Sequence, residues 1–257
     1  MARLKEIIKW RDVSAGNIQR VSGDITIPNS VPFSMNLIFD RDLGQAVSRE
    51  GTNIVGSQLS DNNPCLGLFQ HLDSTAANNR LLAGFNGVIY NAVSGAADVS
   101  GLSITARMRF ATFLNATLML NGVTADARSY TAAGSWVSTA GVLNVSGVPA
   151  SAQFPIEFKD RMYCAVTDRL YYTNTPTGSQ VSWSASGSGS LQVEQEDGGG
   201  MLQALNKVPG YLMLYKQRSL KRWNFDSTFP EDLINIGTQS NESVVRARGK
   251  NYFFYGP

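Results

Sequence analysis

Histidine is almost missing from this chain. His71 is the only one in 257 residues, which excludes a metal site built on a histidine cluster and leaves one candidate base for a Ser-His-Asp device. Cysteine is nearly as scarce: Cys65 and Cys164 lie 99 positions apart, fitting neither a disulfide framework nor a metal knuckle, and both read as reduced core thiols. No apolar run approaches the roughly 18 residues needed to cross a bilayer. Met1–Trp10 is broken by charge every few residues and lacks the apolar stretch of a secretory signal, so the expectation is a soluble protein made in a cytoplasm, with no membrane partner. Charge is sparse as well. Only 16% of residues are charged, and 22 basic against 20 acidic side chains leave a formal +2, so no global field recruits nucleic acid and any such contact is local.

What is present is glycine and short apolar runs. Twenty-four glycines with so few charges point to tight turns rather than solvated helices. Only the first dozen residues carry helical spacing, at Leu4, Ile7 and Ile8. From Asp24 onward the runs are β-branched and aromatic, each bounded by Gly, Asn, Asp, Ser or Pro. They pair as hairpins. Arg80–Phe85 and Val88–Asn91 flank Asn86-Gly87, the strongest short-range hairpin signal. Similar pairs are Phe110–Leu114 with Thr117–Gly122, Arg161–Val166 with Arg169–Thr173, and Tyr211–Tyr215 with Leu220–Trp223.

The hairpins centre at Leu82, Phe113, Tyr163 and Tyr211, at intervals of 31, 50 and 48 residues, and a tryptophan recurs beyond a Gly/Ser-rich turn at Trp136 and Trp183. A period of about 40 to 50 residues with four short strands per unit is the sequence form of a β-propeller blade, since one blade is too thin to bury both faces alone. A pair of sandwich domains also gives short strands with turn signals. The expected fold is therefore all-β, a partial β-propeller of four-stranded antiparallel blades with a short N-terminal extension. Residues 1–22 form that extension, 23–63 an extended β region, and 64–257 the blades. Asn251–Tyr255 resembles Tyr211–Tyr215 and stops before a returning strand, so the array is expected to be truncated at its C-terminus.

Few residues offer chemistry. His71 alternates with apolar neighbours in Leu66–Leu72, the pattern of a strand residue on a polar face. Asp40 and Asp42, and Glu194, Glu196 and Asp197, supply close carboxylates but sit in turns, where they read as solvated loop acids. Gly198–Gly200 lacks the Lys-Ser/Thr of a phosphate loop. No catalytic, metal or cofactor site is expected. One segment stands out: Lys216, Arg218, Lys221 and Arg222 put four basic residues in seven between Tyr215 and Trp223, a combination suited to phosphate or to an acidic neighbouring subunit. The bland reading is an exposed hairpin tip.

The stretch Asn36–Gly51 resembles virion proteins of tailed bacteriophages, in particular the propeller-bearing tail-hub, nozzle or DNA-stabilisation proteins of short-tailed phages. The likeness continues through Leu118–Gly122 to Trp136, Phe158–Tyr163 to Asn174 and Trp183, and Gly200–Leu205 to Lys216, so it covers roughly residues 30–257. It implies a non-enzymatic structural protein of the virion tail. Copies would form a homo-oligomeric ring docked by residues 1–22 to portal, adaptor or other tail proteins, with non-specific contact to the packaged DNA that the ring retains and later passes. The rival class is a carbohydrate-binding or glycan-hydrolysing β-propeller, in which Trp136, Trp183 and Trp223 would stack on sugars.

Overall fold

Short β-branched and aromatic runs joined by tight turns become four antiparallel meanders in the larger of two units, residues 1–54 and 55–257, into which the computed structural model divides the chain. The described residues are 16–17, 30–31, 37–40 and 45–48 (backbone only), then 63–131, 135–138, 142–176, 180–193, 200–227, 229–247 and 250–255. In the first unit Gly16–Asn17 pairs in parallel with Ser30–Val31, and Leu37–Asp40 antiparallel with Gln45–Ser48. The helical spacing expected over the first dozen residues falls outside the described residues.

In the second unit, sheet I comprises Gly67–His71, Arg80–Phe85, Val88–Asn91 and Ala97–Val99. Sheet II comprises Arg109–Phe113, Ala116–Leu120, Arg128–Tyr130 and Trp136–Val137. Sheet III is built of Gln153–Phe158, Arg161–Val166, Arg169–Tyr172 and Gly189–Gln192, and sheet IV of Leu202–Val208, Tyr211–Lys216, Leu220–Trp223 and Glu231–Ile234. Each sheet is ordered first to fourth in chain sequence. The class is all-β, and the only helical segments among the described residues are single 3₁₀ turns. Two-residue turns join many of the strands. Asn86-Gly87, Leu114-Asn115 and Lys159-Asp160 hold positive φ at both central positions, which matches the right-handed strand twist. The leucine and lysine show that ladder pairing on either side can impose that conformation without glycine.

The sheets stack face to face, and strand alternation decides what each seam contains. On the second strand of sheet II, Ala116, Leu118 and Leu120 point towards sheet III, where they meet Met162, Cys164 and Val181. Met119 points the other way, onto Leu82 and Ile89 of sheet I. Sheet III repeats the device. Met162 and Cys164 face sheet II, while Tyr163 and Ala165 face Leu212, Leu214 and Trp223 of sheet IV. Met213 and Tyr215 then face onward, with Val244 and Phe253 packed beside them. A central strand covered on both faces reads as a nearly continuous apolar run, which is why these segments lack polar alternation. The first strands of successive sheets lie next to one another along the whole series.

Three details differ from the sequence reading. The hairpin Phe110–Leu114 with Thr117–Gly122 joins first and second strands, whereas the other three join second and third. The second strands begin at Arg80, Ala116, Arg161 and Tyr211, and their spacings of 36, 45 and 50 residues replace the anomalous 31. The two tryptophans are also not equivalent. Trp136 belongs to sheet II, but Trp183 follows the short strand Val181–Ser182, which pairs in parallel with Leu143–Asn144. After sheet IV a further hairpin pairs Val245–Ala247 with Lys250–Tyr252, so the partner of that last strand precedes it instead of following.

Candidate functional site

The basic segment Lys216, Arg218, Lys221 and Arg222 does not form one cationic surface. Lys216 ends the second strand of sheet IV and is fully buried. The backbone at Gly237–Thr238 crosses it closely, the Thr238 N–H donating to the Lys216 carbonyl at 2.9 Å. A Cβ at Gly237 would lie 2.1 Å from that carbonyl oxygen, so only glycine permits the crossing. Lys221 is buried too, its Nζ 2.6 Å from Asp232 Oδ1. Arg222 leaves the opposite side of the strand, as alternation requires, and donates from Nε to Glu231 Oε2 at 2.8 Å with its guanidinium 4.7 Å above the Tyr211 ring. Arg218 alone of the four is exposed. The exposed-tip reading therefore fails for two of the four residues. Spacing along a sequence cannot foresee a segment returning from twenty residues downstream.

His71 is in the seam between sheets I and II, not on a solvent-facing side. Its Nδ1 lies 2.8 Å from Thr117 Oγ1, which is itself 2.9 Å from Thr112 Oγ1, and its ring stands edge-on to Tyr130 at 4.8 Å. Asp73 Oδ2 is 3.9 Å from Nε2. Burial lowers the His71 pKa below its ordinary value, against the opposing pull of Asp73, and Arg80 lowers it further. A hydroxyl, an imidazole and a carboxylate in sequence have the members of a nucleophilic triad. Thr117 and His71 are nevertheless both completely inaccessible, so the row serves to satisfy polar groups between two sheets.

Of the acids singled out in the sequence, Asp40 closes a strand paired with Gln45. Asp42, Glu194, Glu196 and Asp197 lie outside the described residues, as do Gly198 and Gly199. Among the described residues no group of three or more His, Cys, Asp or Glu side chains could hold a metal ion, and no helix is long and apolar enough to cross a membrane. Trp223 is core, its indole N–H donating to the Ser227 carbonyl at 2.9 Å, and so is withdrawn as a stacking platform. Trp136 and Trp183 remain half-buried.

A charged cluster missed in the sequence joins residues 133 positions apart. Arg109, on the first strand of sheet II, donates from Nη2 to Glu242 Oε1 at 3.1 Å and from Nη1 to Gln153 Oε1 at 3.2 Å, while its guanidinium lies 4.6 Å from the Phe154 ring. Arg107 adds a second contact to Glu242 Oε1 at 3.5 Å. Burial raises the Glu242 pKa, but the Ser240 hydroxyl, a backbone N–H and the two arginines outweigh it and hold the carboxyl below its ordinary range. Sheet II is thereby tied to the segment beyond sheet IV, with sheet III contributing Gln153 between them. No local signal marks such a link.

No protein-family model matches the chain, and no curated protein matches it. Among solved structures it is similar to the computationally designed Ika8 protein, with a TM-score of 0.43 and 12% identity over 77% of this chain and 57% of that one. It is also similar to the computationally designed Ika4 protein, with a TM-score of 0.42 and 10% identity over 68% of this chain and 98% of that one. The chain thus spans little more than half the length of Ika8.

Proposed function

We propose that this protein is a structural component of a tailed-phage virion, of the tail-hub, nozzle or DNA-stabilisation kind, in which the four sheets are blades of a partial β-propeller. It acts through interfaces and catalyses no reaction. The observation that carries this reading is the apolar surface left along its last strands. Ile234, Val245, Tyr252, Phe254 and Tyr255 are each between 44% and 72% exposed, in contrast to the enclosed faces of the seams that precede them. Val245 and Tyr252 lie opposite each other across the last hairpin, and exposed apolar side chains grouped in this way favour a protein interface. The blade reading is supported by first strands that run side by side and by the Arg109–Glu242 link, which spans from sheet II past sheet III as sheets turning about an axis require.

The partners on this reading are further copies of the chain in a ring, with portal, adaptor or other tail proteins beside it. Contact with packaged DNA is reduced to Arg218 and the partly engaged Arg222, which suits a passage that must release its cargo. Mass spectrometry of purified particles, fractionated into heads and tails, tests the assignment. Recovery of the protein in stoichiometric amounts with the tail fraction is expected. Its absence from assembled particles would overturn the reading.

A further inference from the structure

The seam between sheets I and II opens at its outer end into a cleft of about 540 Å³ that none of the foregoing uses. Asp98 on the fourth strand of sheet I and Ser100 just after it line one side, and Arg128, Ser135, Trp136 and Ser138, on and beside the outer strands of sheet II, line the other. We propose that this cleft is a carbohydrate-binding subsite that takes a neutral pyranoside, with Trp136 as the stacking platform, Asp98 as hydroxyl acceptor and Arg128 as hydroxyl donor.

The platform is rigid. Trp136 pairs with Tyr130 across the sheet, and its ring packs against the Tyr130 ring at 5.2 Å, which in turn abuts the buried His71. A fixed indole offers an apolar face to sugar C–H groups at little cost in side-chain entropy. Arg128 is also held. One of its terminal nitrogens donates to the carbonyls of Ala125 and Ala127 at 2.7 and 2.9 Å, which anchors the guanidinium at the rim with its remaining N–H groups available.

The ligand class follows from the mixture. A bare cation is disfavoured by Arg128 and an anion by Asp98. A neutral polyol satisfies both, because each hydroxyl donates to a carboxylate and accepts from a guanidinium. The three serines add short hydroxyls, and the volume lies within the ordinary range for small-ligand sites of roughly 300–1,000 Å³. Burial raises the Asp98 pKa above the usual carboxylate value, against the lowering pull of Trp136 and Arg80. Among the described residues lining the cleft Asp98 is the one acid, where glycoside hydrolysis calls for two, which favours binding over cleavage.

The test uses the full chain with methyl glucoside, methyl galactoside, methyl mannoside and methyl N-acetylglucosaminide, followed by saturation-transfer NMR and tryptophan fluorescence. At least one of these four should bind, with Kd on the order of millimolar, as expected for a single small ring. Asp98→Asn and Trp136→Phe, each checked for an intact melting transition, should weaken binding about tenfold or more. Trp183→Phe, in a different cleft, should leave it unchanged. Failure of all four sugars to bind would overturn the proposal, as would binding that survives both cleft substitutions or a clear preference for glucuronate over the neutral sugars. None of these outcomes depends on where the protein is assembled.

Discussion

The seam between sheets II and III and the seam between sheets I and II are built from opposite faces of one five-residue strand, Ala116–Leu120. Towards sheet III it presents Ala116, Leu118 and Leu120 to a cluster of apolar side chains. Towards sheet I it presents Thr117 beside Met119, and Thr117 begins a buried polar row through His71 with Tyr130 alongside. The Tyr130 hydroxyl and His71 Nε2 make no hydrogen bond there. The two seams share topology and strand length and differ mainly in the polarity of alternate positions. A dry seam is held by shape and area alone, whereas the polar one also rests on the hydrogen bonds it does make, since an unmet buried polar group costs more than a made one contributes. It is the polar seam that opens onto the tryptophan-lined cleft.

The sharpest test of this contrast removes volume from the dry seam. Leu118→Ala leaves a cavity between fully enclosed sheets and should cost about 2–5 kcal/mol in equilibrium urea unfolding, with Leu214→Ala in the seam between sheets III and IV behaving alike. In the polar seam the larger loss comes without any change of size. Thr117→Val keeps the shape but strands His71 Nδ1 and the Thr112 hydroxyl, an expected cost of about 1–3 kcal/mol. If Thr117→Val proved neutral, the polar row would contribute nothing and the contrast would fail.

A third measurement uses protons. Because burial lowers the His71 pKa, the folded state binds fewer protons than the unfolded state. The corresponding stability is fully present above the unfolded value of 6.5 and is lost as pH falls through the lowered folded value. His71→Asn, which places an amide nitrogen near Nδ1, should flatten the stability profile below pH 6.5. Leu118→Ala should leave that slope intact. The smallest effect is expected outside both seams, at Glu242, whose side chain is 40% exposed. Glu242→Gln should cost no more than about 1 kcal/mol, with the cost shrinking in high salt. Its carboxyl is held low, so its contribution is present above 4.5 and disappears as pH falls through the depressed folded value. Thermal melts at two ionic strengths across that range would check both signs.

Much of the second unit was legible because its strands carry their own signals. The run Tyr211–Lys216 between Pro209-Gly210 and Leu220–Trp223 specifies a hairpin from apolar content and turn chemistry, and of Tyr163, Leu170, Tyr211, Leu212, Leu214 and Trp223, expected to alternate into inter-blade cores, all but Tyr211 lie buried in the core between sheets III and IV, Tyr211 being only partly buried beside Met213 and Tyr215. Phase was less legible. An apolar run, a turn and a second run look alike whether they are strands one and two or two and three, so Phe110–Leu114 was aligned one strand out of step. The basic segment reads as an exposed tip from local spacing, which does not encode the crossing of Lys216 by the backbone at Gly237 or the pairing of Lys221 with Asp232. The cleft was half legible, with Trp136 visible as an aromatic beyond a turn. Asp98 and Arg128 could be joined to it only by the packing of one sheet on another.

Cys164 gives the dry seam a built-in clock. Its thiol is wholly enclosed between sheets II and III, and burial raises its pKa far above the ordinary value, while Cys65, expected in the core as well, is exposed. An alkylating reagent requires the thiolate and a clear approach, so in the native protein Cys65 reacts at once and Cys164 waits for the sheets to part. The slow phase of labelling therefore counts seam openings one molecule at a time, without any probe being introduced.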